Sequence, residues 1–264
     1  MTLCLVWREE DDTVCMATDS RVTVANNSYE DVAIKLTRIR CEIFPPSSKL
    51  LQGTGDFKLE VGMAFAGSHI CAYVIKETLV EIISRLQYIP GNTEVSMDKL
   101  AKIAFFAYQE LSKRVCSTTI GKNGICELFL SAFCPKENKM RVFKFSTNPK
   151  ENTHSYTEVL RNPGLEMSGS GVQFAKHISY DQKSPLVILK DVIDRMQDPG
   201  VGGEIQYAKH TKGELKIFNS YGLSEDGWPQ YMRAGLDVNK AISKADYDDF
   251  FISPMVYDFS QIRS

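Results

Sequence analysis

The chain alternates short runs of apolar residues with two longer segments in which apolar residues recur at helical intervals. Runs at 2–7 and 13–18 flank a charged turn, which predicts a β-hairpin. Between residues 70 and 86 the apolar positions recur every three or four residues, and residues 96–115 repeat this pattern. The two segments predict amphipathic helices, the first of which ends before Pro90-Gly91.

The rest of the pattern extends this order of strands and helices. Further strands are predicted at 32–43, 59–66, 126–134, 140–146, 204–209 and 214–218, and two more helices at 171–179 and 184–196. The predicted order along the chain is therefore strands, two helices, strands, two helices and strands. This order favours an α+β fold, a four-layer αββα sandwich in which two stacked, mainly antiparallel sheets carry helices on both outer faces.

Length and composition predict a single domain over residues 1–264. The 264 residues are 43% hydrophobic, which is enough to bury one large core. A stretch rich in proline, serine and glycine near 45–57 predicts an insertion in a loop. Beyond Tyr221 the pattern is mixed and aromatic, so we expect a C-terminal extension from about 221 to 264.

Charge and cysteine usage narrow the class of partner and the compartment. The formal net charge is −2 and no long basic block occurs, so we expect proteins or peptides as partners, with no nucleic acid. No apolar run approaches the roughly 18–20 residues of a membrane span, and the N-terminal run is too short for a secretory signal. Seven scattered cysteines without a Cys-x-x-Cys pair predict reduced thiols and a cytoplasmic protein. The four histidines lack metal-ligand spacing, so we expect no metal and no other cofactor.

Thr2 is the strongest candidate for chemistry because it follows the initiator Met1. Removal of Met1 would place a hydroxyl nucleophile and a free α-amine on one residue. An α-amine titrates near about 7.7–8.0, so part of it is neutral in the cell and accepts a proton from the hydroxyl, whereas a lysine amine, titrating near about 10.4, stays charged. The pair is a self-contained catalyst for acyl transfer.

Short motifs follow Thr2 in a fixed order over most of the chain. They are Asp-Ser-Arg-Val-Thr at 19–23, a lysine at Lys35, Ala-Gly-Ser at 66–68, Gly-Ser-Gly at 169–171 and Asp-Pro-Gly-Val-Gly-Gly at 198–203. In this order and spacing they resemble the motifs of the proteasome β-subunit family, the N-terminal threonine hydrolases. The resemblance implies the four-layer sandwich of the Ntn-hydrolase type.

The same resemblance implies catalytic roles for the residues near the N-terminus. Thr2 would be the nucleophile. Lys35 would lie beside it as a cation that lowers the pKa values of the amine and the hydroxyl, and Asp19 would pair with Lys35. Taken singly, Asp19 and Lys35 are also typical of charges at the surface ends of strands.

Three later residues receive roles in the same way. Gly67 would donate its backbone N–H to the developing oxyanion, and Ser170 and Asp198 would hydrogen-bond the α-amine. Val201 departs from the resemblance because the family has a serine there that helps to hold the amine. Gly-Ser-Gly and Asp-Pro-Gly are also common turns, so the argument depends on the joint order of the motifs.

The resemblance also bears on branch, assembly and substrate. The Met-Thr start resembles the bacterial HslV and Anbu branches, and the Met-Thr-x-Cys opening together with the longer tail favours an Anbu-like member. Relatives stack into rings or helical turns and often work with an ATP-driven unfoldase. The resemblance therefore implies a threonine-type endopeptidase that forms a homo-oligomer. Its substrates would be peptides or unfolded proteins, and an ATP-dependent unfoldase would be its partner.

Two other functions remain open on the same fold. A non-catalytic structural subunit, or pseudoenzyme, is favoured by Val201 and by any retention of Met1, since a blocked amine cannot act as a base. An Ntn amidase that acts on a small-molecule amide is the other, because a fold alone does not set the substrate.

Overall fold

A computed structural model describes residues 2–24, 28–46, 55, 57–91, 94–117, 121–178, 184–196, 198–238, 240 and 254–262. Met1 and most of the predicted insertion, residues 47–54 and 56, lie outside this part of the chain. The strands are β1 (Cys4–Glu10), β2 (Thr13–Thr18), β3 (Val22–Thr23), β4 (Tyr29–Glu30), β5 (Leu36–Phe44), β6 (Phe57–Gly67), β7 (Leu86–Gln87), β8 (Cys126–Cys134), β9 (Lys139–Asn148), β10 (Thr153–Val159), β11 (Gly164–Ser168), β12 (Gln206–Thr211), β13 (Leu215–Leu223), β14 (Pro229–Arg233), β15 (Leu236–Asp237) and β16 (Val256–Tyr257). The helices are α1 (His69–Ile83), α2 (Met97–Val115), α3 (Val172–Ala175) and α4 (Pro185–Asp194).

Two large sheets hold most of the strands, and the fold belongs to the α+β class. Within the described residues, the first sheet has eight strands in the order β11-β1-β2-β12-β13-β14-β15, with β16 paired to β13. The second has six, in the order β10-β9-β8-β6-β5-β7. The pairs are antiparallel except for β13 with β16 and β5 with β7. The mainly antiparallel sheets of the prediction are confirmed.

Both faces of β1 are buried, which explains its nearly continuous apolar sequence. Leu3, Leu5 and Trp7 pack with α3 and α4 residues such as Ala175 and Ile188. The alternate residues of the strand, Cys4 and Val6, point to the opposite face, where they meet residues of the second sheet such as Ala64 and Phe129. A run that is apolar at every position is what a strand between two packed layers requires.

The second sheet is covered on its other face by α1 and α2. Side chains of β6 and β8 pack there against Ile75 and Leu79 of α1 and Tyr108 of α2. Each helix starts where a serine caps its first turn: Ser68 Oγ accepts a hydrogen bond from Cys71 N, and Ser96 Oγ accepts one from Lys99 N. In the described part of the chain, no helix is both long and apolar enough to cross a bilayer.

Helices α1, α2 and α4 lie where periodicity predicted helices, although α1 ends at Ile83. The helix predicted at 171–179 is shorter, since α3 covers only Val172–Ala175, and further differences lie in the strands. The strand predicted to begin at residue 32 begins only at Leu36, because Lys35 N and Leu36 N donate to the side chain of Gln206 rather than to a neighbouring strand. Strands β10 and β11 were not predicted. The C-terminal extension predicted from about residue 221 begins inside β13, which runs from Leu215 to Leu223.

Candidate active site

Thr2 precedes β1 and is fully buried where the two sheets meet. Its carbonyl oxygen accepts a hydrogen bond from Gly171 N at 3.2 Å. Its backbone nitrogen lies 3.3 Å from Ser170 Oγ, to which it donates. Its hydroxyl oxygen lies 2.7 Å from Lys35 Nζ. These contacts fix the backbone and the side chain of Thr2 from three directions.

Lys35 reaches Thr2 from the second sheet, just before β5. Its Nζ lies 3.0 Å from both carboxylate oxygens of Asp19, and the two side chains are 2% and 0% exposed. Burial lowers the pKa of Lys35, while Asp19 acts in the opposite direction. An ammonium that donates to a hydroxyl oxygen stabilises the alkoxide form of that hydroxyl.

Asp19 is held by more than the lysine. Its oxygens also accept hydrogen bonds from the backbone N–H groups of Leu3, Arg21 and Gly202 at 3.1–3.2 Å. Burial raises the pKa of Asp19, and Lys35 with the N–H groups of Leu3 and Gly202 opposes that rise. The carboxylate links the residue before β1, the turn after β2 and the segment before β12, and it holds the Lys35 ammonium beside Thr2.

Ser170 and Asp198 form a chain of hydrogen bonds that ends at the backbone nitrogen of Thr2. The Ser170 hydroxyl donates to Asp198 Oδ2 at 2.6 Å and accepts from Thr2 N. Asp198 is in turn fixed by Gly200 N, which donates to Oδ1 at 2.9 Å. Val201, at the position where a serine is expected from the resemblance, is 1% exposed and packs in the apolar cluster with Leu3. Its side chain supports the loop by packing.

Two glycines shape the backbone around Thr2. Gly67 ends β6, is exposed and has a φ of +98°, and it lies two residues beyond Phe65, whose N–H bonds to the carbonyl of Lys35. Gly169 has a φ of +104°, and a Cβ there would lie 2.1 Å from the Thr2 carbonyl oxygen and 3.2 Å from the Cβ of Ala66. Only glycine fits at that approach. The predicted residue Gly67 thus lies on the side of the site that holds Lys35.

Gln206 is a site residue that the sequence did not point to. It is 3% exposed, its Oε1 accepts from Lys35 N and Leu36 N, and its Nε2 donates to the carbonyl of Ala33. The amide therefore fixes the backbone from which the Lys35 side chain extends. The only signal in the sequence is a polar residue within the strand predicted at 204–209, and that signal is weak.

The loop that carries Asp19 is hydrogen-bonded to the glycine-rich segment 198–203. Ser20 N and Arg21 N donate to the Gly202 carbonyl, and a Cβ on Gly202 would lie 2.3 Å from the Arg21 guanidinium carbon. Arg21 itself pairs with Asp31 through two hydrogen bonds of 2.7 and 3.0 Å. These contacts hold Arg21 against the loop of Asp19.

Cys4 does not compete with Thr2 as a nucleophile. It is fully buried between the sheets, and burial raises the pKa of its thiol well above the usual range. The thiolate is the reactive form of cysteine, so a thiol held in this state is inert.

Solved structures with a similar backbone indicate the fold. Anbu (ancestral beta-subunit) from Yersinia bercovieri aligns with a TM-score of 0.53 at 15% identity, over 85% of this chain and 88% of that one. The chain shares its fold with Anbu. An Anbu (Gly-1) mutant from Hyphomicrobium sp. strain MC1 aligns at 0.54 and 12% over 96% and 100% of the two chains. Anbu from Pseudomonas aeruginosa aligns at 0.54 and 14% over 85% and 87%.

The Anbu likeness concerns the backbone. At 12–15% identity it shows a common fold and does not assign a reaction. No protein-family model matches the chain, and no curated protein matches it either. The chemistry is therefore argued from the geometry of Thr2, Lys35, Asp19, Ser170 and Asp198.

Proposed function

We propose that this protein is a threonine-type endopeptidase in which Thr2, exposed as the N-terminal residue by removal of Met1, is the nucleophile. The observation that carries the proposal is the 2.7 Å contact between Lys35 Nζ and Thr2 Oγ1, made inside a buried pair with Asp19. A buried lysine that contacts a threonine hydroxyl can activate that hydroxyl, whereas a lysine at the surface end of a strand could not.

The proposed reaction needs only the groups of this site. The neutral α-amine takes the hydroxyl proton of Thr2, and Oγ1 attacks the peptide carbonyl carbon. The backbone N–H of Gly67 donates to the oxyanion. The scissile C–N bond then breaks, and the leaving amine takes the proton from the α-ammonium. Water, deprotonated by the same amine, attacks the carbonyl carbon of the resulting ester. The bond from that carbon to Oγ1 breaks, Oγ1 takes the proton back from the α-ammonium, and the carboxylic acid product leaves.

In this reaction the other polar residues position the amine and the hydroxyl. Ser170 accepts a hydrogen bond from the nitrogen of Thr2 and donates one to Asp198. This arrangement orients the α-amine so that its lone pair faces the Thr2 hydroxyl. Lys35 stabilises negative charge on Oγ1, and Asp19 keeps Lys35 in place. Val201 removes one polar partner that the resemblance implies for the amine, so Ser170 carries more of this task.

Fold, domain and assembly enter the same proposal. The three apolar clusters, one between the sheets and one under each pair of helices, support a four-layer αββα sandwich formed by a single domain, residues 1–264. Anbu from Pseudomonas aeruginosa forms a helical assembly. We propose that this chain likewise forms a homo-oligomer that acts on peptides or unfolded proteins in the cytoplasm, supplied by an ATP-dependent unfoldase.

The test is intact-mass spectrometry of the purified protein before and after treatment with a peptide epoxyketone, which traps a hydroxyl and an amine on one residue. Loss of Met1 and a single adduct on Thr2, absent in Thr2→Ala and retained in Thr2→Ser, is the expected result. Peptide hydrolysis should follow the same pattern. A mature Thr2 that takes up no probe and hydrolyses no peptide would refute the proposal.

Val201 is the observation that favours a second function, a non-catalytic subunit of the same fold. Under that function Val201→Ser would change neither probe labelling nor hydrolysis, and Met1 would be retained. Under the peptidase proposal Met1 is lost and Thr2 takes up the probe, with or without this substitution. The intact mass separates the two functions in one measurement.

A further inference from the structure

A pocket of about 300 Å³ opens beside the candidate active site. Ile34, next to Lys35 in the chain, lines one wall, and Phe65 and His69, each two residues from Gly67, line another. Lys35 affects the ionisation of His69 electrostatically, which is consistent with the two side chains being neighbours. A substrate whose carbonyl lay between Thr2 and Gly67 would place an adjacent side chain at the mouth of this pocket.

The pocket is positively charged. Arg233 and Lys76 line it, and no aspartate or glutamate is among the described residues of its lining. Lys76 pairs with Glu77, which lies outside the lining. The first turns of α1 contribute His69 and Lys76, so the positive end of that helix dipole lies on the same side.

Within the described residues, Arg233 lacks the carboxylate partner that Arg21 and Arg141 have. Arg21 pairs with Asp31 and Arg141 pairs with Glu158, whereas Arg233 contacts only a backbone carbonyl, that of Leu36, at 3.1 Å, and no described carboxylate forms an ion pair with it. Burial lowers the pKa of Arg233, and no charge offsets this. A half-buried cation without a counter-ion is costly, and an anion in the pocket would offset that cost.

The pocket also contains a buried polar atom that has no hydrogen-bond partner among the described residues. Nδ1 of His69 is buried and has no hydrogen bond within the described residues. An imidazole can donate through that nitrogen, so a carboxylate beside it would fill the missing contact. The apolar walls, Phe65 and Tyr73 among them, suit the methylene part of a side chain that ends in a charge.

We propose that this pocket binds an acidic side chain of the substrate, a glutamate or aspartate beside the scissile bond, and that Arg233 is the residue that selects it. This rests on the proposed peptidase function and adds its specificity. Arg233 ends β14, which belongs to the predicted C-terminal extension. The extension thus completes the substrate pocket of the site formed by Thr2 and Lys35.

The experiment compares peptides that differ only in glutamate or glutamine on the acyl side of the scissile bond. Wild-type protein is expected to prefer the glutamate peptide, and Arg233→Gln to lower kcat/KM for it by about 10- to 100-fold while changing the glutamine peptide less than about threefold. Arg233→Glu should favour a lysine peptide. Lys216→Gln, on the neighbouring strand β13 with its side chain in solvent, is the matched control and should leave all rates unchanged.

A binding measurement makes the outcome independent of turnover. Thr2→Ala protein, with and without Arg233→Gln, is titrated with the fluorescein-labelled glutamate and glutamine peptides. Tighter binding of the glutamate peptide, lost with Arg233→Gln, supports the pocket even when no peptide is hydrolysed, in which case only the peptidase proposal fails. Equal affinity for the two peptides overturns the inference, whether or not hydrolysis by Thr2 is observed.

Discussion

Substitution of Lys35 by methionine tests the link between stability and chemistry at the candidate site. Methionine keeps an unbranched apolar side chain in the space of the lysine and removes the ammonium group. Thr2 Oγ1 then loses its 2.7 Å neighbour, and Asp19 remains fully buried with three backbone N–H groups but no cation. Both the hydroxyl and the carboxylate are perturbed by one change.

The expected loss of stability is large. Breaking a buried ion pair by removing one partner costs about 3–5 kcal/mol because the other charge stays behind uncompensated. For a domain of this size that corresponds to a fall in Tm of roughly 6–20 °C. The three backbone N–H groups on Asp19 place the expectation at the lower end. Peptide hydrolysis should be lost, since Lys35 contacts the hydroxyl of the proposed nucleophile, Thr2.

The loss should also depend on pH. Without Lys35, burial raises the pKa of Asp19 further above its value in the unfolded chain. A group whose pKa is raised by folding stabilises the protein below its unfolded value, and this contribution is lost as the pH rises through the folded value. Urea unfolding at fixed protein concentration should therefore show a smaller deficit for Lys35→Met at acid pH than at neutral pH.

The control is Lys209→Met. Lys209 pairs with Glu9 at 2.8 Å, with the side chains 42% and 38% exposed, and such a pair is worth at most about 1 kcal/mol. Adding Asp19→Asn to Lys35→Met should recover part of the lost stability, because the charge disappears while an acceptor remains. Equal losses for Lys35→Met and Lys209→Met, or no recovery in the double variant, would refute the reasoning.

Two more predictions concern the same fold. Ser170→Ala removes the acceptor that lies 3.3 Å from Thr2 N. In steady-state peptide hydrolysis, kcat should fall by about 10- to 100-fold while KM stays nearly unchanged. An unchanged kcat would exclude a positioning role for Ser170. Burial raises the pKa of Glu158, but Arg141 and Arg161 lower it more, so the net pKa lies below its usual value. The ionised Glu158 therefore stabilises the folded protein above the unfolded pKa, and this contribution is lost as the pH falls through the folded pKa. Glu158→Gln should therefore flatten the loss of stability below about pH 4.3 in urea unfolding, and an unchanged slope would contradict this.

The sequence predicted the parts of the fold that depend on local periodicity. The serine caps and three-and-four spacing of α1 and α2 are local signals, and both helices lie where they were expected. Strand β11 was missed because its sequence Gly-Leu-Glu-Met-Ser is half polar and is ordered by pairing with β1, more than 150 residues earlier in the chain. Pairing over such a distance leaves no local pattern.

The candidate site likewise contains residues that the sequence predicted and residues that it did not. Asp19, Lys35 and Thr2 were predicted together, and the structure brings them within hydrogen-bond distance of one another or of a shared partner. Gln206 and Arg233 were not predicted, because each acts on a backbone or a pocket formed by residues from elsewhere in the chain. A glutamine or arginine within a strand carries no mark of such a contact. Their roles become visible only once the strands are assembled.

Strand β13 joins the C-terminal extension to the sheet that carries Thr2. Its first half pairs with β12 and its second half with β14, so residue 221 lies in the middle of a continuous ladder. A chain shortened at this point would expose the unpaired N–H and C=O groups of a sheet edge, which are a template for pairing between molecules. We therefore expect a version shortened inside β13 to aggregate more readily than the full chain, so a shortened version should stop outside β13.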